Sequence, residues 1–227
     1  MFDEKCEILI LGATVAAAGI LAAAGQNAVI IESRPDAGYE FFGAFRSAYG
    51  KDVEPKSEPA CALRQKFSRR DSLRACTPLF YACLREGRVF LSAHILDIAR
   101  QEDGFAVTMC DASGERCIFA RCLVDTRAEA KYITAKTINM LTMSGAFVRI
   151  PLDVSADMIS ARQAVAAYLA KGTEDEVIAV ADEFDLTLAD FRTLEEDGIL
   201  RLPSAGFADP ISAFDAGVLL GEELMGK

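Results

Sequence analysis

Two kinds of apolar pattern divide this chain. Residues 8–11 and 28–31 are apolar at every position, as strands covered on both faces are. Residues 14–24 between them are alanine-rich and read as a helix, with Gly25 placed to end it. Gly19 inside that helix costs roughly 1 kcal/mol against alanine, a cost that close helix-to-sheet packing is expected to offset. Strand, glycine turn at Gly12, helix, and a second strand closing on Glu32 make a βαβ crossover of the dinucleotide-binding type.

The pattern then loosens. Residues 33–59 are rich in Pro, Gly and aromatic residues without a sustained period. They are expected to form a long ordered loop held down by Phe41, Phe42 and Phe45. Thr77 followed by Pro78 predicts an N-cap and a helix to about residue 86. Residues 88–92 and 94–100 carry strand signals, 105–110 alternate, Ala112-Ser113-Gly114 turns, and 116–120 returns. This predicts an antiparallel meander over about 94–121. Residues 122–125 predict a strand back in the main sheet, and 131–151 one or two more. Helical spacing over 156–171 ends at Gly172. Residues 177–181 and 199–202 read as strands, 188–197 as a short helix, and Asp209-Pro210 caps a last helix to about residue 225. The expected class is α/β: one domain over 1–227, a central parallel sheet with the meander, and a reduced cap or insert over about 131–175.

Composition narrows the function. A net charge of −10 disfavours nucleic acid as a partner. The seven cysteines include no CxxC pair and sit mostly in apolar patterns, so they read as reduced, core-filling thiols of a cytoplasmic protein. One histidine, His94, and no ligand cluster argue against a metal site. Residues 8–25 are uncharged and long enough for a short membrane span or a signal segment. Asp3, Glu4 and Glu7 precede them where a signal needs basic residues, and Gly12 splits them as a βα turn requires. No membrane association is therefore expected. The basic stretch Arg64, Lys66, Arg69, Arg70 and Arg74 reads as a solvated helix face or as a phosphate or partner contact.

In a dinucleotide crossover the first glycine makes the turn, the second lets the pyrophosphate reach the backbone, and the third lets helix and strand approach. Here those places hold Gly12, Thr14 and Ala17. Thr14 brings a Cβ to where a phosphate would lie. Glu32 stands where ribose hydroxyls are bound, and Arg34 where it meets a phosphate or solvent.

Four segments carry a resemblance: ILILGATVAAAGILAAAGQNAVIIE, LREGRVFLSAHILDIARQEDGFAVTMCDASGERCIFARCLVDT, VIAVADEFDL and LPSAGFADPISAFDAGVLLGEEL. In this order they resemble the FAD-dependent oxidoreductases of the glutathione-reductase-like flavin fold, a Rossmann-like FAD/NAD(P)-binding fold. The resemblance implies FAD as cofactor, with Gly12, Ala13 and Thr14 at the pyrophosphate, Glu32 and Arg34 at the adenosine ribose, and Gly206 near the flavin. There are departures. The crossover is about three residues shorter than the flavin version, a shortening assigned to the phosphate loop, which would then present fewer N–H donors. The DATG-like turn of the family is Asp125-Thr126-Arg127 here, without glycine. Little chain is left for a substrate domain, and no catalytic acid, base or nucleophile is recognisable.

Three functions stay open on these grounds. The first is a compact FAD-dependent oxidoreductase of unknown substrate. The second is a cofactor-free pseudo-enzyme, a structural or regulatory subunit of a larger oxidoreductase, with a protein partner or a second copy of the chain bound through residues 41–45 or the basic stretch. The third is an NAD(P)-linked reductase, which would not need the meander or the closing helix.

Overall fold

Strand β1 (Glu4–Leu11) occupies the middle of the main sheet because both of its faces are covered. A computed structural model describes residues 2–46, 48–85, 87–128, 133–172, 176–186 and 194–226. β1 pairs in parallel with β2 (Ala28–Ile31) on one side, Ile8 opposite Ala28 and Leu11 opposite Ile31. On the other side it pairs in parallel with β6 (Gly114–Asp125), Ile8 opposite Cys122 and Leu11 opposite Asp125. β3 (Arg88–Phe90) extends the sheet beyond β2, and β11 (Ile199–Arg201) and β10 (Leu194–Glu196) extend it beyond β6. The meander is β4 (His94–Gln101) and β5 (Gly104–Asp111), with β5 antiparallel to the first half of β6. One twelve-residue strand thus serves both the meander and the parallel sheet.

Alternate side chains along the central strands feed two cores. Ile8, Ile10, Ala28, Ile30 and Val124 face the helices α1 (Val15–Ala24), α2 (Glu58–Phe67), α3 (Thr77–Leu84) and α5 (Pro210–Leu224). Leu9, Leu11, Val29, Ile31 and Leu123 face Phe105, Val107, Met109 and Ile118 of the meander. Burial on both sides is the reason these strands are apolar throughout.

Gly19 has a different neighbour from the one expected. It lies against α5 rather than the sheet: a Cβ there would stand 2.1 Å from the Phe214 carbonyl oxygen. Gly217 answers it, with a Cβ position 2.0 Å from the Ala16 carbonyl, and Gly221 meets Ala23. Glycines 217 and 221 share a helix face four residues apart, so α1 and α5 cross at backbone contact. Thr77 also departs from expectation. Cys76 takes the cap position of α3, Pro78 sits in its first turn, and the Thr77 hydroxyl donates to the Arg74 carbonyl at 2.8 Å. The helix expected over 188–197 is replaced at its end by β10, which turns through Asp197 and Gly198, both at positive φ, into antiparallel β11. The remainder, 188–193, lies outside the described residues. Asp209 caps α5 as expected, accepting from the Ser212 N–H at 2.8 Å.

A second sheet is formed by β7 (Ile133–Thr142), β8 (Phe147–Leu152) and β9 (Val177–Leu186), all antiparallel, in the order β8-β7-β9. Helix α4 (Met158–Leu169) packs on it through Ala161 and Val165, against Ile138 and Met140. The buried Arg46 joins this unit to the main domain. Its Nε donates to Glu183 Oε1 at 3.1 Å, and its Nη1 to the carbonyls of Ala205 and Phe207. The basic stretch spans α2 and the turn after it. Lys66, Arg69 and Arg70 are exposed, and Arg64 donates to the Val53 carbonyl and to Glu54.

Candidate functional site

The order of the main sheet reverses at β1. The chain leaves β1 for β2 on one side and later fills β6 on the other, so the carboxyl ends of β1, β2 and β6 frame a crevice, the usual ligand place of such sheets. A cavity of about 250 Å³ opens there. Of the six site residues expected from sequence, Ala13, Thr14, Glu32 and Arg34 line it together. Gly12 lies just beneath, making the turn at φ +96°, its N–H donating to the Ile31 carbonyl at 2.8 Å. Gly206 does not line it. Its neighbour Ala205 does, and the Gly206 N–H closes a tight turn onto Pro203.

The turn from β1 into α1 and the first turn of the helix carry the N–H groups of Ala13 to Ala17, and four of these, all but that of Thr14, are bonded to side chains. Ala13 N–H donates to Glu32 Oε2 at 2.9 Å, Val15 N–H to Glu40 Oε1 at 2.8 Å, Ala16 N–H to Ser204 Oγ at 3.2 Å, and Ala17 N–H to Thr14 Oγ1 at 3.1 Å. Ser204 in turn donates to Glu40 Oε1 at 2.7 Å. The first turn of a helix leaves its N–H groups without backbone partners and carries partial positive charge. Here two carboxyls and two hydroxyls satisfy them.

Glu40 is the residue that sequence reasoning missed. It sits on a short π-helical turn, Tyr39–Gly43, whose Phe41 and Phe42 are buried in the helix-side core. The Gly38 N–H donates to the Ala13 carbonyl at 2.7 Å, tying this turn to the turn after β1. Gly38 itself is at φ +67°, and a Cβ there would collide with the rings of Phe42 and Phe80. Burial pushes the Glu40 carboxyl above its ordinary value, helped by the charge of Glu32 and opposed by the bonds from Val15 and Ser204. The available signal was a lone acid inside the aromatic run YEFFGAF.

The other walls are also committed. Glu32 accepts from Arg34 N–H at 2.9 Å and from Ser33 as well as from Ala13, which uses three of about four acceptor positions on a carboxylate. The Arg34 guanidinium stacks 3.9 Å from the Tyr39 ring centroid. Thr126 is fully buried, accepts from Thr14 Oγ1 at 2.8 Å, and bonds to the Leu11 and Gly12 carbonyls. Arg127, standing where the DATG-like glycine is absent, makes two guanidinium bonds to Asp125 at 2.9 and 2.8 Å, adds one from its backbone N–H at 3.0 Å, and lays its side chain over Gly12. A Cβ on Gly12 would be 2.6 Å from Arg127 Cγ. His94 is exposed at the start of β4 and does not line the cavity.

These residues do not fit the pyrophosphate of FAD as they stand. Four of the N–H donors of this turn are bonded internally, and Glu32, Glu40 and Asp182 line the cavity beside two arginines. Its volume also lies below the roughly 300–1,000 Å³ of typical small-molecule pockets.

No family model matches the chain, and no curated protein does. Solved structures do. Aklavinone-11 hydroxylase in complex with FAD and aklavinone superposes with a TM-score of 0.65 at 12% identity, over 100% of this chain and 64% of that one. BexE, described in work on oxidation during BE-7585A biosynthesis, gives 0.60 at 14% identity over 97% and 63%. The p-nitrophenol 4-monooxygenase PnpA from Pseudomonas putida DLL-E4 gives 0.57 at 12% identity over 98% and 80%. The chain spans under two thirds of the length of the first two. The fold is that of the FAD-binding, Rossmann-like flavoproteins. Among the described residues no helix is long and apolar enough to cross a membrane.

Proposed function

We propose that this chain is a cofactor-free relative of the flavin-dependent oxidoreductases, acting as a structural or regulatory subunit beside a larger, catalytic one. One observation carries the reading: the helix end expected to hold a pyrophosphate is capped by Glu40, Ser204, Thr14 and Glu32 of the same chain. Each charge-assisted hydrogen bond that a diphosphate cannot make weakens its binding by roughly 1.5–3 kcal/mol. The replacement of motif glycines by Thr14, Ala17 and Arg127 agrees with a degraded motif of the glutathione-reductase-like type. The meander and α5 support that type over an NAD(P)-linked reductase.

The partner surface is better sought on the second sheet than at residues 41–45, since Phe41 and Phe42 are buried. Among the described residues ten large apolar side chains are exposed, and six of them lie between 143 and 178: Met143, Phe147, Val154, Met158, Ile159 and Ile178. That concentration supports a protein partner there. A second reading, a working FAD-dependent oxidoreductase with Glu40 withdrawn, is favoured by the convergence of Ala13, Thr14, Glu32 and Arg34 on one cavity.

The visible spectrum separates the two. Protein purified and then incubated with excess FAD is expected to emerge from gel filtration without flavin absorbance at about 450 nm. One FAD per chain would overturn the cofactor-free reading.

A further inference from the structure

We propose that the groove between α1, α2 and α3 binds a single-chain carboxylate of medium length, its apolar chain along the groove and its carboxylate at Lys66. The groove reaches the carboxyl end of α1, at Leu21 and Gly25, whereas the crevice described above lies at the amino end of that helix. Three observations carry the proposal. First, the groove is a hollow of about 440 Å³, within the roughly 300–1,000 Å³ of small-molecule sites. Leu21, Leu63 and Phe214 give it a buried apolar floor. At its rim each helix presents an exposed alanine, Ala22, Ala62 and Ala82, where a longer side chain would fill the space. A Cβ on Gly25 would meet nothing within 4 Å. α2 lines the groove from Pro59 to Lys66, a rise of about 10 Å at roughly 1.5 Å per residue, which is the length of an extended medium-chain acyl group. Second, α3 lacks a polar face. Its sequence, TPLFYACL, holds no charge, whereas a surface helix ordinarily sets a polar face opposite its buried one. Phe80 and Leu84 take the core side, and Leu79 and Cys83 line the groove. The Cys83 thiol donates to the Leu79 carbonyl at 3.4 Å, and burial pushes it up, so this wall is uncharged. Third, the charge around the groove has one sign, in a chain whose net charge is −10. Among the described residues the charged side chain lining it is Lys66, and a second hollow, which shares Ala82 with it, has Arg85 as its charged residue. No acid among the described residues lines either hollow. Lys66 is exposed and, among the described residues, makes no ion pair. An apolar trough with a cation at one end of its α2 wall is complementary to an apolar chain that ends in an anion.

The experiment uses the full chain and sodium decanoate at neutral pH, with hexanoate and decanol for comparison, binding read by calorimetry and folding by circular dichroism. Decanoate is expected to bind once per chain and more tightly than hexanoate, since each further buried methylene contributes up to about fourfold in affinity. Lys66→Gln is expected to weaken decanoate by about twofold to fivefold, the range of an exposed ion pair, and to leave decanol unchanged. Ala82→Phe fills the groove from an exposed position and is expected to abolish binding in a folded chain; Ala62→Phe is the second variant in case the first does not fold. Bound decanoate is also expected to slow alkylation of Cys83 by N-ethylmaleimide, read by peptide mass spectrometry, and not that of Cys110 or Cys117 in the meander. A wild type that ignores millimolar decanoate overturns the proposal, as does binding that persists in the folded phenylalanine variants. Attachment to phosphatidylglycerol vesicles without binding of the free acid makes this face a membrane contact and overturns it as well. None of these results depends on FAD, so the cofactor-free reading stands or falls separately.

Discussion

Replacing Gly217 with valine is expected to lower the stability of this chain by about 3 kcal/mol or more, since overpacking at a rigid contact usually costs 1–3 kcal/mol and sometimes exceeds it. The first atom of the new side chain would stand 2.0 Å from the Ala16 carbonyl oxygen and 3.1 Å from the Gly19 Cα. Those are backbone atoms of α1, so no rotamer change relieves the clash. The helices must separate, and the whole helix-side core moves with them, because Ile20, Val218 and Phe214 are buried at the same crossing. A domain of this size shifts its melting temperature by roughly 2–4 °C per kcal/mol, so a drop of about 6–12 °C is expected in a thermal melt. A change below about 2 °C would mean that α1 and α5 do not touch at Gly217. Alanine is expected to fall between, as it adds only the clashing atom.

The second large effect belongs to Glu183. Its carboxylate accepts from Arg46 at 3.1 Å, from Asn139 Nδ2 at 2.5 Å, and pairs with Arg149 at 3.1 Å, while only 7% of the residue is exposed. Glu183→Ala leaves the buried Arg46 guanidinium with Asp185 as its remaining carboxylate, and that side chain is 55% exposed. Breaking a buried pair from one side costs about 3–5 kcal/mol. The loss is expected in urea unfolding, with earlier proteolysis of the second sheet, because Arg46 also binds the carbonyls of Ala205 and Phe207. Glu183→Gln keeps an acceptor and is expected to lose less. A Glu183→Ala chain within about 1 kcal/mol of wild type would match an exposed pair and remove this network from the account of how the two units hold together.

Much of the fold was legible because burial on two faces writes an unambiguous pattern. The runs at 8–11 and 28–31, the alternation at 105–110 and the Asp209-Pro210 cap each state a local physical need. The departures arose where a contact from elsewhere in the chain decides. Gly19 reads as a packing glycine, yet nothing near it in sequence says that its neighbour is α5. Asp197-Gly198 is a hairpin signal that the acidic run before it conceals within a helix-like stretch. At the site, the position of Glu32 followed from its place after β2. Glu40 could not be placed that way, since it lies in an aperiodic segment and matters only because the π turn aims it at Val15. The sequence led to the expectation of a damaged cradle, and in the structure side chains of the chain bond four of its N–H groups.

Amide hydrogen exchange at Val15 and Ala16 tests that statement most directly. First-turn helix N–H groups exchange quickly when they face water and slowly when they are bonded. With Glu40 and Ser204 in place, both amides are expected to be protected in the free protein and unchanged by millimolar ADP. Fast exchange that ADP then slows would show an open, waiting cradle and contradict the account.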